Sequence, residues 1–230
     1  MGTKYNPSVV QDGLVYYIDA ANTRSYSGAG LTVNGLVGGI GGTIVGASFG
    51  STNNGYFTFR NLTDKIVIGN PQILQGLQLN TTVSCWFNQR SNLQYATLYA
   101  DYSAVDLHRL VCLLRIDSGF LIYYTTTSSG SYQSVSPTSI INGSWYYAAV
   151  SVSGTLSSPT VNIFLNGSTY SYSLSALSST PSTSSTHCIG GNVYINEGFD
   201  GNISQVMIYN RALTAQEILQ NYNATKARYQ

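Results

Sequence analysis

Charged side chains are scarce in this chain of 230 residues: Asp, Glu, Lys and Arg make up 8% of it, against about 25% in an average soluble domain. The net charge is +1 and the basic residues are scattered. This argues against a nucleic-acid or membrane partner, because both attract a concentrated basic surface. Ser, Thr, Asn, Gln, Gly and 19 Tyr residues supply the polar surface instead. A surface with so few charges repels neighbouring molecules only weakly, so it suits burial in an assembly.

Cysteine is also rare, and long apolar runs are missing. The three cysteines, Cys85, Cys112 and Cys188, are odd in number and widely spaced. We expect buried free thiols in a protein that folds in a reducing cytoplasm. No segment reaches the roughly 18 apolar residues of a membrane span, and the first residues, MGTKYNPSVV, lack the apolar core of a signal peptide. The sequence thus predicts neither a transmembrane segment nor a signal peptide.

The usual pair of catalytic carboxylates is missing as well. Glycoside hydrolysis needs two carboxyl groups, about 5 Å apart in retaining enzymes and about 6.5–9.5 Å apart in inverting enzymes. Acidic residues at i, i+2 or i, i+4 of one strand meet this need because they share a face, but no two acidic residues here have either spacing. His187 cannot activate Cys188 directly, because adjacent strand residues point to opposite faces. We therefore expect a protein that is not an enzyme.

Short strands account for most of the sequence. Turn signals such as SGAG, GGIGG, INGS, LNGS and IGGN separate short runs rich in Val, Ile, Tyr, Phe and Thr. Many of these runs have the period-two alternation of half-buried antiparallel strands. About eleven such strands predict one sandwich or barrel domain over residues 13–212. Residues 1–12 show no clear pattern, and we expect an N-terminal arm that is ordered only by contact with another subunit.

A helix start follows the last predicted strand. In LTAQEI, Thr214 can accept a hydrogen bond from the backbone N–H of Glu217, and Glu217 can reach back to the N–H of Thr214. This arrangement is the capping box. Residues 213–230 are therefore predicted to form a capping helix and tail. Glu217 is interpreted as a structural residue rather than a catalytic one, and a Gln could fill the same role.

The stretch GFDGNISQVMIYNRALTAQEI resembles the closing signature of laminin-G-like jelly rolls in the concanavalin A-like lectin/glucanase superfamily. The runs GLVYYIDAANTRSY, YFTFRNLTDKIVIG, TVSCWFNQ, SWYYAAVSVSG, VNIFLNG and CIGGN are similar to further landmarks of that family, in the same order. The resemblance covers roughly Gly13 to Tyr222. It implies an all-β fold: an antiparallel two-sheet jelly-roll sandwich with one short C-terminal α-helix. Arg60 departs from the family, which often has Asp there; if that Asp helps to hold calcium in relatives, the site is altered here.

The opening strand with AANTRSY, the low charge and the chain length resemble versions of this module that tailed bacteriophages encode as virion proteins. The resemblance implies a non-enzymatic structural or decoration protein of the capsid, neck or tail, displayed on the virion surface. Its partners would be other virion proteins or further copies of itself as a homo-oligomer. The alternative function is a glycan-binding lectin or adhesin that attaches to a host-surface glycan. A glycan hydrolase is the third and disfavoured hypothesis.

Alternation also predicts a candidate ligand-binding face. If the sequence neighbours of Trp86, Arg115 and Phe164 face the core, these three side chains point to the other side of their strands. They could then share the concave sheet face on which lectins of this superfamily often bind sugars. The alternative, which we favour, is that loops or a neighbouring subunit cover this face.

Calcium is the one cofactor that the sequence indicates. Hard cations take oxygen ligands, so Asp64 and Asp200 are the candidate ligands, together with loop carbonyls. For Asp200, a role as a turn residue before Gly201 is the favoured alternative. Without a calcium site, no cofactor is expected.

Overall fold

Strands dominate the structure, a computed structural model that describes residues 8–52, 55–76, 79–103, 110–127, 130–174, 176, 185–193 and 197–229. Across these residues, 16 strands form two antiparallel sheets of eight strands each. The predicted two-sheet sandwich with one short C-terminal helix is therefore confirmed. No helix in this part of the chain is both long and apolar enough to cross a membrane.

In chain order the strands are β1 (Leu14–Asp19), β2 (Thr32–Val33), β3 (Gly42–Val45), β4 (Ser48–Gly50), β5 (Tyr56–Phe59), β6 (Lys65–Gly69), β7 (Thr81–Gln89), β8 (Ala96–Ser103), β9 (Leu110–Asp117), β10 (Phe120–Thr127), β11 (Gly130–Ser139), β12 (Trp145–Thr155), β13 (Ser158–Leu165), β14 (Ser168–Ser173), β15 (Ser185–Ile189) and β16 (Gly201–Tyr209). The α-helix α1 spans Ala215–Thr225, and short 3-10 turns cover Gln72–Leu74 and Lys226–Arg228.

The last strand, β16, lies inside the first sheet, called sheet A, whose order is β14-β13-β12-β7-β16-β5-β4. One edge of β16 pairs with β7, so that Asn202 is opposite Asn88. Its other edge is shared: Asn202 pairs with Thr58 of β5, and Val206 pairs with Ile18 of β1. Sheet B has the order β11-β10-β9-β8-β15-β6-β3-β2. The first and last of the described strands therefore lie side by side in sheet A.

The main core lies between the two sheets. In β7, Val83, Cys85 and Phe87 belong to the same buried cluster as Leu114 and Ile116 of β9. These residues occupy alternate positions of their strands, so their side chains point to one face. Alternation along the sequence thus identifies the inward side chains correctly in both sheets.

The described cysteines are buried thiols. Cys85 and Cys188 are both free and buried, as predicted. Burial raises the pKa of Cys188 to about 12 and raises that of Cys85 further, so neither is a thiolate at neutral pH. The side chain of Cys112 lies outside the described part of the structure.

A third layer covers the outer face of sheet A, the face that points away from sheet B. The ring of Trp86 stacks against Tyr222 of α1 at 5.8 Å and against Tyr229 at 4.2 Å between centroids. Its indole N–H donates to Oγ1 of Thr225 at 2.8 Å. The residues of this outer cluster include Phe164, Met207, Tyr209, Leu213 and Ile218. Much of sheet A is therefore buried on both faces.

An ion pair fastens the end of this third layer to the sheet. The guanidinium of Arg228 donates to both carboxylate oxygens of Asp19 at 2.8 Å, and Gln205 donates to the same carboxylate at 2.8 Å. Burial opposes ionisation of Asp19, but the hydrogen bonds and charge of Arg228 prevail and hold its pKa below the usual range. A bidentate pair of this kind fixes orientation as well as distance. The tail after α1 is thus tied to β1.

The described part of the N-terminal arm is held by its own chain, which corrects the prediction that only another subunit orders it. The N–H of Val10 donates to Oδ1 of Asn221 at 2.8 Å, and the hydroxyl of Tyr209 donates to the carbonyl of Val10 at 3.1 Å. These partners are side chains of α1 and β16 rather than a neighbouring strand, so a search for strand pairing misses them. Residues 1–7 of the predicted arm lie outside the described residues.

Thr214 and Glu217 form the predicted capping box at the start of α1. Oγ1 of Thr214 accepts from the N–H of Glu217 at 3.2 Å, and Oε2 of Glu217 accepts from the N–H of Thr214 at 2.8 Å. Arg211 adds a contact that the sequence pattern does not predict, since its guanidinium donates to both oxygens of Glu217 at 3.1 and 2.6 Å. These hydrogen bonds from Arg211 lower the pKa of Glu217 to about 2. The carboxylate therefore serves both the helix cap and an ion pair.

A buried polar cluster lies where β8 pairs with β15. His187 stands opposite Asp101 in register, and both residues are almost completely inaccessible to solvent. Nδ1 of His187 is 2.7 Å from the hydroxyl of Tyr99 and 3.8 Å from Oδ1 of Asp101. Burial raises the pKa of Asp101 to about 7 and lowers the pKa of His187 to about 4, because both charged forms lose hydration. We interpret this cluster as part of the core, since no ligand could reach it without opening the sandwich.

The capping box generates the first prediction. Thr214→Ala should lower the free energy of unfolding by about 1 kcal/mol, because the first turn of α1 loses its cap. Glu217→Gln should cost about 0.5–1 kcal/mol at pH 7, since Gln keeps the box but loses the ion pair with Arg211. The folded pKa of Glu217, about 2, is below its usual value of 4.5. Its charge therefore stabilises the fold above pH 4.5, and this contribution is lost as the pH falls toward 2.

Urea unfolding at pH 7 and pH 3 checks both changes. The cost of Glu217→Gln should be smaller at pH 3, whereas the cost of Thr214→Ala should stay nearly constant. An equal cost of Glu217→Gln at both pH values would show that the ion pair with Arg211 contributes nothing.

The buried cluster generates the second prediction. Asp101 has a folded pKa of about 7 against 3.8 in the unfolded chain, so between these values only the folded chain keeps the proton. The contribution of Asp101 to stability therefore falls as the pH rises from about 4 to 7 and is constant above 7. Asp101→Asn imitates the protonated form at every pH. The variant should gain stability relative to the natural protein across this window.

Thermal unfolding of both proteins between pH 4 and pH 8 measures the effect as a difference in melting temperature. Burial lowers the pKa of His187 to about 4, so the folded imidazole is neutral through most of this range and its titration adds little to the difference. A variant that is less stable than the natural protein at every pH would mean that Asp101 is ionised in the fold and paired with a protonated His187.

Candidate functional site

The open part of the outer face of sheet A carries a row of side chains that crosses four strands. Thr58 of β5, Asn202 of β16, Asn88 of β7 and Trp145 of β12 are successive partners in register. Asn88 is two residues from Trp86, so both side chains are on the same face of β7. The covered aromatic cluster therefore continues into a polar row.

A groove of about 370 Å³ lies over this row. Its volume is within the lower part of the range for small-molecule sites, roughly 300–1,000 Å³. The residues that line it are Tyr56, Thr58, Arg60, Asn88, Arg90, Asn142, Gly143, Gly201 and Asn202. The groove thus draws its walls from four separate stretches of the chain.

The two asparagines of the row each keep one polar atom for a ligand. Oγ1 of Thr58 donates to Oδ1 of Asn202 at 2.9 Å, and Nδ2 of Asn88 donates to the carbonyl of Gly143 at 2.6 Å. Among the described residues, Nδ2 of Asn202 and Oδ1 of Asn88 have no hydrogen-bond partner. The groove therefore presents a donor and an acceptor on adjacent strands, about 5 Å apart at the backbone.

Aromatic rings form one side of the site. The ring of Tyr56 lies 6.0 Å from the ring of Trp145, which in turn lies 4.9 Å from Tyr229 of the tail. The hydroxyl of Tyr56 is 2.8 Å from Oγ1 of Thr52, which fixes the orientation of the ring. Tyr56 and Trp145 are both partly exposed. They offer an apolar surface beside the polar row.

Two arginines border the groove in different electrostatic states. Arg90 is neutralised: its Nε donates to Oδ1 of Asp200 at 2.7 Å, and Ser91 donates to the other oxygen of that carboxylate. The guanidinium of Arg60 has no ion-pair or hydrogen-bond partner within the part of the chain that the structure describes. The groove therefore carries one uncompensated positive charge.

The three residues predicted to share a ligand-binding face do not form one site. Trp86 and Phe164 do share the outer face of sheet A, but they are 0% and 1% exposed beneath the C-terminal segment. Arg115 lies in β9 of sheet B, on the opposite side of the sandwich. Alternation identifies the outward face of each strand correctly, but it cannot tell which sheet a strand joins or what covers the face. The favoured alternative, a covered face, describes Trp86 and Phe164, and the cover is the chain's own tail.

Arg115 instead belongs to an ion network on sheet B. Its guanidinium is 3.6 Å from a carboxylate oxygen of Asp117 and 3.8 Å from one of Glu197, and it lies 4.6 Å from the ring centroid of Tyr95. Burial raises the pKa of Glu197, with Arg115 opposing the shift and the charge of Asp117 adding to it. The carboxyl groups of Asp117 and Glu197, which are far apart in the sequence, thus both lie close to Arg115. The spacing of acidic residues along the chain does not reveal this grouping.

The two calcium candidates are engaged in other contacts. Oδ2 of Asp64 accepts from the backbone N–H groups of Arg60 and Asn61 at 2.8 and 3.2 Å, which closes the turn after β5. Asp200 pairs with Arg90. In the described ranges, no three His, Cys, Asp or Glu side chains are grouped as metal ligands. A calcium site at these residues stays a prediction.

The sequence did not identify the groove residues because they come from three strands, β5, β7 and β16, and from the loops beside them. A weak signal exists in the sequence: Asn88 continues the outward positions of β7 after Thr82, Ser84 and Trp86. Only the register of the sheet shows that Thr58 and Asn202 lie next to it.

Solved structures with this fold include carbohydrate-related proteins. Domain 4 of AbnA, a GH43 extracellular arabinanase from Geobacillus stearothermophilus solved in complex with arabinotriose, is 18% identical, with a TM-score of 0.67 over 94% of this chain and 100% of that chain. Trypanosoma rangeli sialidase in complex with sialic acid is 13% identical, with a TM-score of 0.72 over 96% and 34% of the chains. The binding domain of Paraclostridial Mosquitocidal Protein 1 is 16% identical, with a TM-score of 0.66 over 94% and 52%.

The chain thus spans the whole of the arabinanase domain but only 34% of the sialidase and 52% of the mosquitocidal binding domain. At these low identities the likeness shows the fold alone. No match was found among curated proteins. A family model for the Concanavalin A-like lectin/glucanases superfamily matches residues 60–219. Because this match covers more than half of the sequence and agrees with the observed sandwich, the chain belongs to the concanavalin A-like lectin/glucanases superfamily.

Proposed function

We propose that this chain is a glycan-binding module and that it binds sugar in the groove over Thr58, Asn88 and Asn202. The observation that carries the proposal is the pairing of an open amide donor and an open amide acceptor beside the rings of Tyr56 and Trp145. Sugar hydroxyls both donate and accept hydrogen bonds, and the C–H face of a sugar ring is apolar. A few fixed polar groups beside an aromatic surface match that chemistry.

The likeness to solved structures supports a carbohydrate ligand. The arabinanase domain was solved with arabinotriose, and this chain covers all of that domain. The mosquitocidal protein was solved as a binding domain. Neither protein assigns a ligand to this chain, but both show that the sandwich serves as a binding unit in other proteins.

We also propose that the module is not an enzyme. No acidic residue lines the groove, and the carboxylate of Asp200, next to Gly201 of the lining, is neutralised by Arg90. Hydrolysis of a glycosidic bond needs one carboxyl group to protonate the leaving oxygen and a second to act as base or nucleophile. Asp117 and Glu197 do meet elsewhere, but they share the guanidinium of Arg115, an arrangement that neutralises charge.

A structural or decoration role on the surface of a bacteriophage particle is the second candidate function. It is favoured by the 8% charge content and by exposed apolar side chains such as Leu31 and Ile141, each 65% exposed. Other virion proteins or further copies of this chain would be the partners, and the module would then display its groove toward host-surface glycans. Mass spectrometry of purified particles with immunogold labelling tests this role; absence of the chain from particles would exclude it.

A glycan array with matched asparagine variants tests the binding proposal. Asn202→Ala and Asn88→Ala should each weaken binding of the recognised oligosaccharide by roughly three- to tenfold, because each removes one hydrogen-bonding group. The double variant should give no signal. Asn162→Ala is the control, because Asn162 points from the same face of sheet A and accepts a hydrogen bond from Ser171 but lies outside the groove.

The result would contradict the proposal if the natural protein bound no glycan, or if the double variant bound as tightly as Asn162→Ala. Each variant is first melted to confirm that it folds. The same incubations should release no reducing sugar; release that disappears in Glu197→Gln would restore the hydrolase hypothesis.

A further inference from the structure

We propose that the groove selects acidic sugars and that Arg60 binds their carboxylate. This inference rests on the function proposed above and adds the chemical class of the ligand. It concerns one charge, the guanidinium of Arg60, at the edge of a groove that is otherwise lined by neutral side chains and by the neutralised Arg90.

The arginines in the lining of the groove are unusual in a molecule with so few charged residues. The whole chain has only ten Lys and Arg residues among 230, yet two of the nine residues that line the groove are arginines. Arg90 is used within the fold, because Asp200 accepts from its Nε and also accepts from Ser91. Arg60 therefore supplies the net charge that a ligand in the groove meets.

The nearest acidic residue in the sequence does not neutralise Arg60. The carboxylate of Asp64 is 3% exposed and accepts from the backbone N–H groups of Arg60 and Asn61, and from the side chain of Asn61. It thereby fixes the backbone of Arg60 at the end of β5, where Arg60 lines the groove. Asp64 positions the arginine and is itself occupied by backbone donors.

The geometry fits one ligand class. A guanidinium presents two parallel N–H groups that match the two oxygens of a carboxylate. A sugar acid that places its carboxylate on Arg60 can present ring hydroxyls to the open atoms of Asn202 and Asn88. Sialic acids and uronic acids share this combination of carboxylate and hydroxyls on one ring. A neutral sugar would leave the charge of Arg60 unused.

Isothermal titration with matched acidic and neutral probes tests the inference. The probes are sialyllactose, its methyl ester and lactose, together with trigalacturonic acid and its methyl ester. At least one acid should bind, and its ester should bind roughly tenfold or more weakly, since a charge-assisted pair is lost. Arg60→Gln should reduce binding of the acid to the level of the ester and leave ester binding unchanged. Arg24→Gln, at an exposed arginine outside the groove, is the control.

Three outcomes separate this inference from the proposed function. Binding of an acid that Arg60→Gln weakens and 0.5 M NaCl also weakens supports both, and the probe that binds distinguishes sialic from uronic acids. Equal binding of acid and ester, or an unchanged Arg60→Gln, overturns the inference while the glycan-binding function stands. If none of the acids, the esters and lactose binds and the glycan array is also empty, both the inference and the proposed function are overturned.

Discussion

The stacking of the C-terminal segment on Trp86 is the contact on which the outer half of this structure depends. Trp86 stands on a central strand of sheet A and is completely buried, with the rings of Tyr222 and Tyr229 stacked over it. Its indole N–H is satisfied by Thr225 of the same segment. Removing a buried tryptophan of this kind costs about 3–5 kcal/mol. Without this cover the aromatic side chains on the outer face of sheet A would be exposed, and exposed apolar patches promote association.

The cover also determines where a ligand can bind. It extends along β7 as far as Trp86 and stops before Asn88, two residues or about 7 Å further along the strand. One face of these strands therefore has two parts: an aromatic part that the C-terminal segment covers, and a polar part that is open to solvent. Trp145 stands at the border, in ring contact with Tyr229 of the cover and with Tyr56 of the groove. The C-terminal segment is thus connected to the groove through the ring of Trp145.

Much of the fold could be predicted from the sequence, because its signals are local. Alternation identifies Cys85 as inward and Trp86 as outward, and the spacing of Thr214 and Glu217 identifies the start of α1. The contacts that make the site are not local. Trp86 and Tyr229 are in contact although they are far apart in the sequence. Arg115 belongs to the other sheet although, like Trp86, it is an outward residue between inward neighbours of its strand. Alternation shows neither which sheet a strand joins nor whether another segment covers its outer face. The predicted ligand-binding face therefore consisted of residues that are covered or lie in the other sheet, instead of the open residues of the groove.

The position of the ligand on sheet A can be measured directly, because the chain has only two tryptophans. In a two-dimensional amide spectrum of labelled protein, each indole N–H gives one signal, and Trp145→Phe assigns them. Titration with the oligosaccharide that binds best should shift the signal of Trp145, which borders the groove, and leave that of Trp86 unchanged beneath the C-terminal segment. A shift of Trp86 would mean that the segment moves aside and the covered face binds the sugar. Saturating ligand that shifts neither signal would place the binding site away from this face.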